Sequence, residues 1–338
     1  MIVHARAPIR LDLAGGWTDV PPFSAQEGGA VVNVAVNRYC HVTARRMDAG
    51  IRLRSDDFDA SAEAETLEEL PAGGPLELFR ASLLVAAEHG LEVGRAVGIE
   101  LAARTDAPPG SGTGSSASVG VALAGAISAA LGEPLAAHEA ALRAIRAERA
   151  YLKVAGGTQD QYAAAHGGAS YMDFHDPLVH VSRLPLAAST VATLERRLVL
   201  VYTGVSRVSG DIVSNVMGAY EAGTPRTVDA LRTLRRLAGD VKRCLLLGDL
   251  DALGPALEEN WRCQRALHES VTSAEIDRLH DLALGHGALG GKALGAGGGG
   301  CLLYLAAEGR DYEVRRALER AGAQTLAFGL EAGGLITW

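Results

Sequence analysis

Residues 108–118 hold three glycines, four serines and two prolines, and the run sits inside DAPPGSGTGSSASVGVALAGAI (106–127). Ordering so permissive a backbone is costly. The segment before it, RAVGIELAAR (95–104), reads as a strand. The segment after it, 114–131, reads as a small, apolar helix starting near Gly114 or Ser115. At a helix start the first backbone N–H groups lack partners and point outward, and the macrodipole adds positive potential. Glycines let a phosphate approach the backbone, and serine hydroxyls can donate to it or reach a metal. The stretch therefore reads as an anion site. The alternative is a serine-capped helix after a flexible turn; the density of glycine, serine and proline weighs against it.

Two familiar phosphate patterns do not fit the loop. No lysine follows it, so the G-x-x-x-x-G-K-[ST] loop is excluded, and GSGTGS has the wrong spacing for a dinucleotide loop. Gly295, Gly297 and Gly300 do match G-x-G-x-x-G. That fingerprint needs a strand before it and a helix after it. Here a helix (273–286) is expected upstream and the strand CLLYL downstream. The segment 295–300 is read as a tight turn that lets backbone approach a neighbour, such as the first loop.

Elsewhere the chain mixes strands and helices without a regular βαβ rhythm, which predicts α+β domains instead of a doubly wound sheet. IVHARAPIRLDLAGG gives two short strand pieces around Pro8, and AVVNVAVNRYCHVTARR (30–46) a long strand or hairpin. Helices are expected over 75–89, 135–153, 208–222, 225–247, 249–268 and 310–321, with a strand pair at 167–184 and a buried strand at 196–206. Length suggests two domains, cut near 185–195 and taken as 1–190 and 191–338.

Glu148, near the end of a helix, and Asp160, after a Gly-Gly break in AERAYLKVAGGTQDQYAAAHGG (147–168), form a carboxylate pair. Alone, each reads as a solvated charge or a turn former. If the loop at 108–116 holds ATP phosphates, Mg²⁺ needs a carboxylate and a hydroxyl nearby, and a second carboxylate could take the proton of an attacking hydroxyl. Arg10, in APIRLDLAGG, could steady that base or the phosphoryl group, or be an ordinary strand-end salt bridge.

The net charge of −8, with no basic stripe, argues against a nucleic-acid partner. No apolar run approaches a membrane span, and MIVHARAPIR carries no export signal. Four scattered cysteines, without a CxxC pair, read as reduced thiols of a cytoplasmic protein. The alanine-rich helices could pack subunits of a homodimer or only the core.

Together these pieces resemble the GHMP kinase superfamily, whose three motifs appear in order: APIRLDLAGGWTDVPPFSAQEGGAVVNVAV (7–36), APPGSGTGSSAS (107–118) and KALGAGGGGC (292–301). The resemblance implies a ribosomal-protein-S5-domain-2-like N-terminal domain and a ferredoxin-like C-terminal domain, with ATP at their junction. It implies ATP contacts from Pro109, Gly110, Ser111, Gly112, Gly114, Ser115, Ser116, Gly297 and Gly298. It further implies Mg²⁺ on Ser116 and Glu148, Asp160 as catalytic base held by Arg10, and substrate contacts from Thr18, Asp19, Gly157 and Arg207. Within the superfamily, TDAPPGSG, GGTQDQYAAAHGG, YTGVSR and GGKALGAGGGG are similar to D-glycero-D-manno-heptose 7-phosphate kinases. LAGGWTD and GGAVVNVAV are similar to fucokinase-type domains, because Trp17 stands where heptose kinases more often have glycine. The expected reaction is phosphorylation of an anomeric C1 hydroxyl, with a heptose 7-phosphate the first choice of acceptor. A phosphate-bearing acceptor needs a basic clamp, for which Arg38, Arg45, Arg46 and Arg207 are candidates. Two readings from other classes stay open, a catalytically silent sugar sensor and a nicotinamide-dependent oxidoreductase. The presence of Glu148, Asp160 and Arg10 opposes the first, and the reversed order around Gly295–Gly300 opposes the second.

Overall fold

The computed structural model describes residues 1–338 except 92, 96, 109 and 206–209. Two sheets organise the chain. The strands are β1 (Ile2–Ala14), β2 (Gly29–Met47), β3 (Ile51–Ser55), β4 (Ala60–Ala64), β5 (Gly98–Thr105), β6 (Ala169–His175), β7 (Leu178–Arg183), β8 (Leu198–Tyr202), β9 (Ala288–Ala293), β10 (Cys301–Ala306), β11 (Gln324–Thr325) and β12 (Ile336–Thr337). The first sheet runs β12-β1-β2-β5-β3-β4, with β6 also on β2 and β7 on β6. The second runs β11-β8-β10-β9 and is antiparallel throughout. This is the expected α+β architecture.

Strand β2 is long enough to pair β6 through Gly29–Val34 and β5 through Cys40–Met47, with β1 along its other edge. Strand β1 is one strand, not two pieces. A register shift between Pro8 and Ile9 absorbs the proline, which has no N–H to give to the ladder. The inner half of β1, from Ala7 onward, is buried on both faces. Helices Ser115–Ala130 and Gln159–His166 cover one face, burying Val121, Leu123, Ile127 and Tyr162. Helix Pro225–Leu247 approaches the other, where Leu11, Val32 and Val241 join Leu257 and Leu303 of the second unit in one core. Hence Arg10 and Asp12, two residues apart on β1, share a face inside the molecule.

Further local features differ from the sequence expectations. Helix Ala188–Arg197 occupies part of the stretch taken as the domain cut. The segment read as helix over 135–153 is α-helical only over Ala137–Arg146, then continues as a π-turn, Ala147–Leu152, that ends at Lys153 with φ 55°. The stretch GALGGKALGAGGGG (287–300), where no strand is expected, contains a strand, β9. A Cβ on Gly290 would overlap Gly254 O, and one on Gly291 the ring of Tyr304. These glycines let β9 lie directly on the helix Leu250–Leu267 and on β10, so they build a strand that composition alone reads as loop. The glycine turn 294–300 thus joins two strands, β9 and β10. The pair β3–β4 was not anticipated.

The last residues return to the first sheet. Glu331 N donates to Ala35 O (2.9 Å), Leu335 N donates to Ala165 O (3.1 Å), and β12 pairs β1. Leu335 lies so close to Gly125 that a Cβ there would come within 2.8 Å of Leu335 Cδ2. Among the described residues, no helix is long and apolar enough to cross a membrane.

Candidate active site

A cleft of about 330 Å³ opens where the two glycine loops meet. Gly110, Gly112 and Gly114 have φ of 65°, 73° and 75°, a region open to glycine at no steric cost. No side chain caps the helix that begins at Ser115, so its first amides face the cleft with the positive end of the dipole behind them. The loop is braced on both sides: Arg10 N donates to Thr113 O (3.1 Å) and Cys301 N to Ser111 O (2.8 Å). A Cβ on Gly112 would stand 2.6 Å from Leu294 O, so only glycine lets the loops touch.

Gly110, Gly112, Gly114, Ser115, Ser116 and Gly297, expected to contact ATP, line the cleft. Ser111 does not; it is buried, with Oγ 2.6 Å from Thr113 Oγ1. Gly298 does not either. It is buried and its N–H is taken by Val271 O at 2.7 Å, and Gly295 and Gly299 line the cleft instead. Pro109 and Arg207 lie outside the described residues.

Asp160, second residue of its helix, faces the phosphate loop across Gly114, whose Cβ would stand 3.1 Å from Asp160 Oδ2. Arg10 donates to Asp160 Oδ1 from Nη2 (2.6 Å) and Nε (2.8 Å), and from Nη1 to Gly112 O (2.6 Å). One buried guanidinium therefore fixes the carboxylate and the loop together. Ser116 Oγ donates to Glu148 Oε1 (3.4 Å), and Gln161 Nε2 to Glu148 Oε2 (2.5 Å). Burial, then the nearby charge of Asp160, pushes Glu148 up to about 7. The π-turn carries Glu148; such turns are frequent at functional sites.

Asp19 lines the same cleft as Asp160. Gln159 donates to Asp19 from N (Oδ2, 3.1 Å) and Nε2 (Oδ1, 3.2 Å). Gly157 packs against this carboxylate so tightly that a Cβ would overlap Oδ2. Burial, reinforced by Asp160 and Asp12, pushes Asp19 up to about 6. Thr18 does not reach the cleft. It is fully buried, its hydroxyl bonds Gly15 O (2.7 Å) and Ala30 O (3.0 Å), and it accepts from Ala30 N (3.0 Å). Its hydroxyl proton is committed to the turn that leads into Asp19. Of the proposed clamp arginines, Arg38 is bound to Ala327 O and Asp106 O, and Arg45 pairs with Glu100. Neither these nor Arg46 lines the cleft.

Two residues that sequence reasoning passed over sit beneath this wall. Lys292 of β9 donates from Nζ to Asp12 Oδ2 (2.7 Å) and Asp12 O (2.9 Å), and both side chains are buried. Burial pulls the lysine's pKa down against the opposing pull of Asp12. Their signals were a charged residue two positions from Arg10 and a lone lysine inside a glycine-alanine run.

This arrangement has recognisable relatives. The model of the GHMP kinases N-terminal domain matches residues 78–168, and that of the GHMP kinases C-terminal region matches 241–324. A D-glycero-alpha-D-manno-heptose 7-phosphate kinase of Campylobacter jejuni is 30% identical, covering 99% of this chain and 98% of its own. The crystal structure of a D-glycero-D-manno-heptose 1-phosphate kinase from a Bacteroides species superposes with a TM-score of 0.82 at 29% identity, over 99% of this chain and 98% of that one. An L-fucokinase/L-fucose-1-P guanylyltransferase of Bacteroides fragilis is 29% identical over 93% of this chain, which spans 35% of that longer protein. In sequence and fold alike, the chain belongs to the GHMP kinase family, and it is a phosphotransferase that uses ATP and an alcohol acceptor.

Proposed function

We propose that this kinase transfers the γ-phosphoryl group of ATP to the anomeric C1 hydroxyl of a sugar, with D-glycero-D-manno-heptose 7-phosphate as the acceptor and the 1,7-bisphosphate as product. One observation carries the reading: the Asp160 carboxylate lies against the glycine loop, tied to it through Arg10, in a cleft that Asp19 also lines. The names of the full-length relatives supply the heptose.

In this reading residues 1–190 carry the phosphate loop and the base, and residues 191–338 close the cleft. Gly110, Gly112, Gly114 and the amides after them bind the ATP phosphates. Asp160 orients the C1 hydroxyl and accepts its proton as the phosphoryl group moves. Arg10 keeps the carboxylate and the loop in register, so that positioning and charge neutralisation supply most of the rate. Asp19, backed by Gly157, takes sugar hydroxyls.

The donor set also fits Mg²⁺. Ser116 and Glu148 offer a hydroxyl and a carboxylate side by side, which are hard oxygen ligands. Among the described residues, no cluster of three or more His, Cys, Asp or Glu could hold an ion alone. Magnesium would complete its shell with phosphate oxygens and water, and would neutralise charge on the triphosphate. The four buried free cysteines accord with the reducing cytoplasm, where ATP is abundant.

Trp17, which lines the cleft, favours a second reading, an L-fucose acceptor. A coupled ADP-release assay across heptose 7-phosphate, L-fucose, D-galactose and D-mannose, with NMR of the product, tests both. Phosphate on C1 of the heptose bears out the first reading. Turnover with L-fucose alone would replace it, and a phosphate on any other carbon would overturn the C1 assignment.

A further inference from the structure

The Asp12–Lys292 pair is unexplained by the scheme above. It is fully buried and joins the first sheet to the second. Stability alone does not call for such a pair, since well-packed apolar residues of similar volume commonly replace buried ion pairs without loss. This one is also incomplete, because Asp12 Oδ1 is buried without a hydrogen-bond partner, and an unpaired buried acceptor costs free energy.

The surroundings indicate what that oxygen is for. Asp12 lines the cleft beside Gly16, Trp17 and Asp19. A Cβ on Gly16 would overlap Asp12 Oδ2 and stand 3.3 Å from Gln159 Nε2, so glycine at this position clears the carboxylate. Trp17 holds φ at 82°, a strained conformation for a bulky residue, of a kind that clusters at ligand sites. Its Nε1 is buried and unpartnered, as is Gln159 Oε1. Around one wall of the cleft, then, are two unpartnered acceptors and one unpartnered donor. Among the described residues lining the cleft, Arg10 is the only cation, and it is committed to Asp160 and Gly112 O.

We propose that Asp12 is a further acceptor-binding residue, which takes a hydroxyl of a neutral, polyhydroxylated part of the acceptor through Oδ1, and that Lys292 is the positioning residue that presents it from the second sheet. Any phosphate the acceptor carries points away from this wall. The inference rests on the sugar-kinase reading and deepens it.

The test compares Asp12→Asn, Lys292→Met and the double variant with wild type. The probes are the panel sugar that wild type phosphorylates best and its monodeoxy analogues. Asp12→Asn and Lys292→Met should each raise the acceptor KM about tenfold and leave the ATP KM within about twofold, with the double variant no worse than either single one. One deoxy analogue should be about tenfold poorer than its parent for wild type and equivalent to it for Asp12→Asn. An unchanged acceptor KM in the folded double variant would overturn the proposal. So would identical discrimination among the deoxy analogues by wild type and Asp12→Asn. The double variant leaves no unpaired buried charge, which keeps the test valid if a single variant misfolds. If wild type turns over a non-sugar alcohol instead, the sugar reading fails, and the same comparison on that alcohol still decides the role of Asp12.

Discussion

Arg10 and Asp160, 150 positions apart, meet through two guanidinium nitrogens on one carboxylate oxygen, Nη2 at 2.6 Å and Nε at 2.8 Å. The same guanidinium holds Gly112 O. Removing the carboxylate charge in Asp160→Asn should lower kcat by ~10²–10⁴-fold while ATP affinity changes little. Arg10→Lys, which cannot reproduce the fork, should lower kcat and weaken nucleotide binding together, because it releases the loop as well. Steady-state kinetics with ATP titration separates the two, and near-normal turnover by Asp160→Asn would remove it as the base.

Asp19 predicts a pH signature. Its folded value of about 6 lies above the ordinary 3.8, so the folded protein binds more protons than the unfolded chain between those values. Ligand-free stability should fall as pH rises through this window, by on the order of 2–3 kcal/mol from this group. Asp19→Asn should reduce the slope, leaving the part that Glu148, also raised, contributes. Thermal unfolding of both proteins between pH 4 and about pH 7 reads this directly. Acceptor affinity should move the opposite way, strengthening as Asp19 ionises.

Two glycine substitutions should divide the cleft into its halves. In Gly157→Ala the new Cβ overlaps Asp19 Oδ2, so the acceptor KM should rise with ATP affinity intact. In Gly112→Ala the Cβ meets Leu294 O, at a φ of 73°. That variant should lose ~1–3 kcal/mol of stability and bind ATP poorly. Equal damage to both ligands by both variants would contradict this division.

Lys292→Met strands a buried carboxylate and should cost ~3–5 kcal/mol, whereas Asp12→Asn combined with Lys292→Met should cost far less. Urea denaturation of wild type, Lys292→Met, Asp12→Asn and the double variant measures the coupling. Additive losses would mean that the pair is weaker than its 2.7 Å geometry implies.

The sequence made much of the cleft legible because its chemistry is local. Gly110, Gly112 and Gly114 announce a loop that needs positive φ, and Glu148 and Asp160 follow within one segment. Thr18 and Gly298 do not line the cleft, because a motif shows which residues are close in the chain but not which hydrogen bonds are already made. Thr18 gives its hydroxyl to Gly15 O and Ala30 O, and Gly298 its amide to Val271 O. Strand β9 was hidden because Gly290 and Gly291 serve close packing, which no propensity scale anticipates. Asp12 and Lys292 are 280 positions apart, and nothing local links them.

The return of residues 331–337 to the first sheet has a consequence for how the molecule can be divided. Leu335 fills the space over Gly125 on the helix behind the phosphate loop, and its amide bonds Ala165 on the helix of Asp160. Both helices are thus clasped by chain that is synthesised after the whole second sheet. A fragment cut near residue 190 would leave the groove over Gly125 open to water and the outer edge of β1 unpaired. Such a fragment should be prone to self-association and weak at holding nucleotide, and the catalytic half attains its final shape only when translation has passed residue 337.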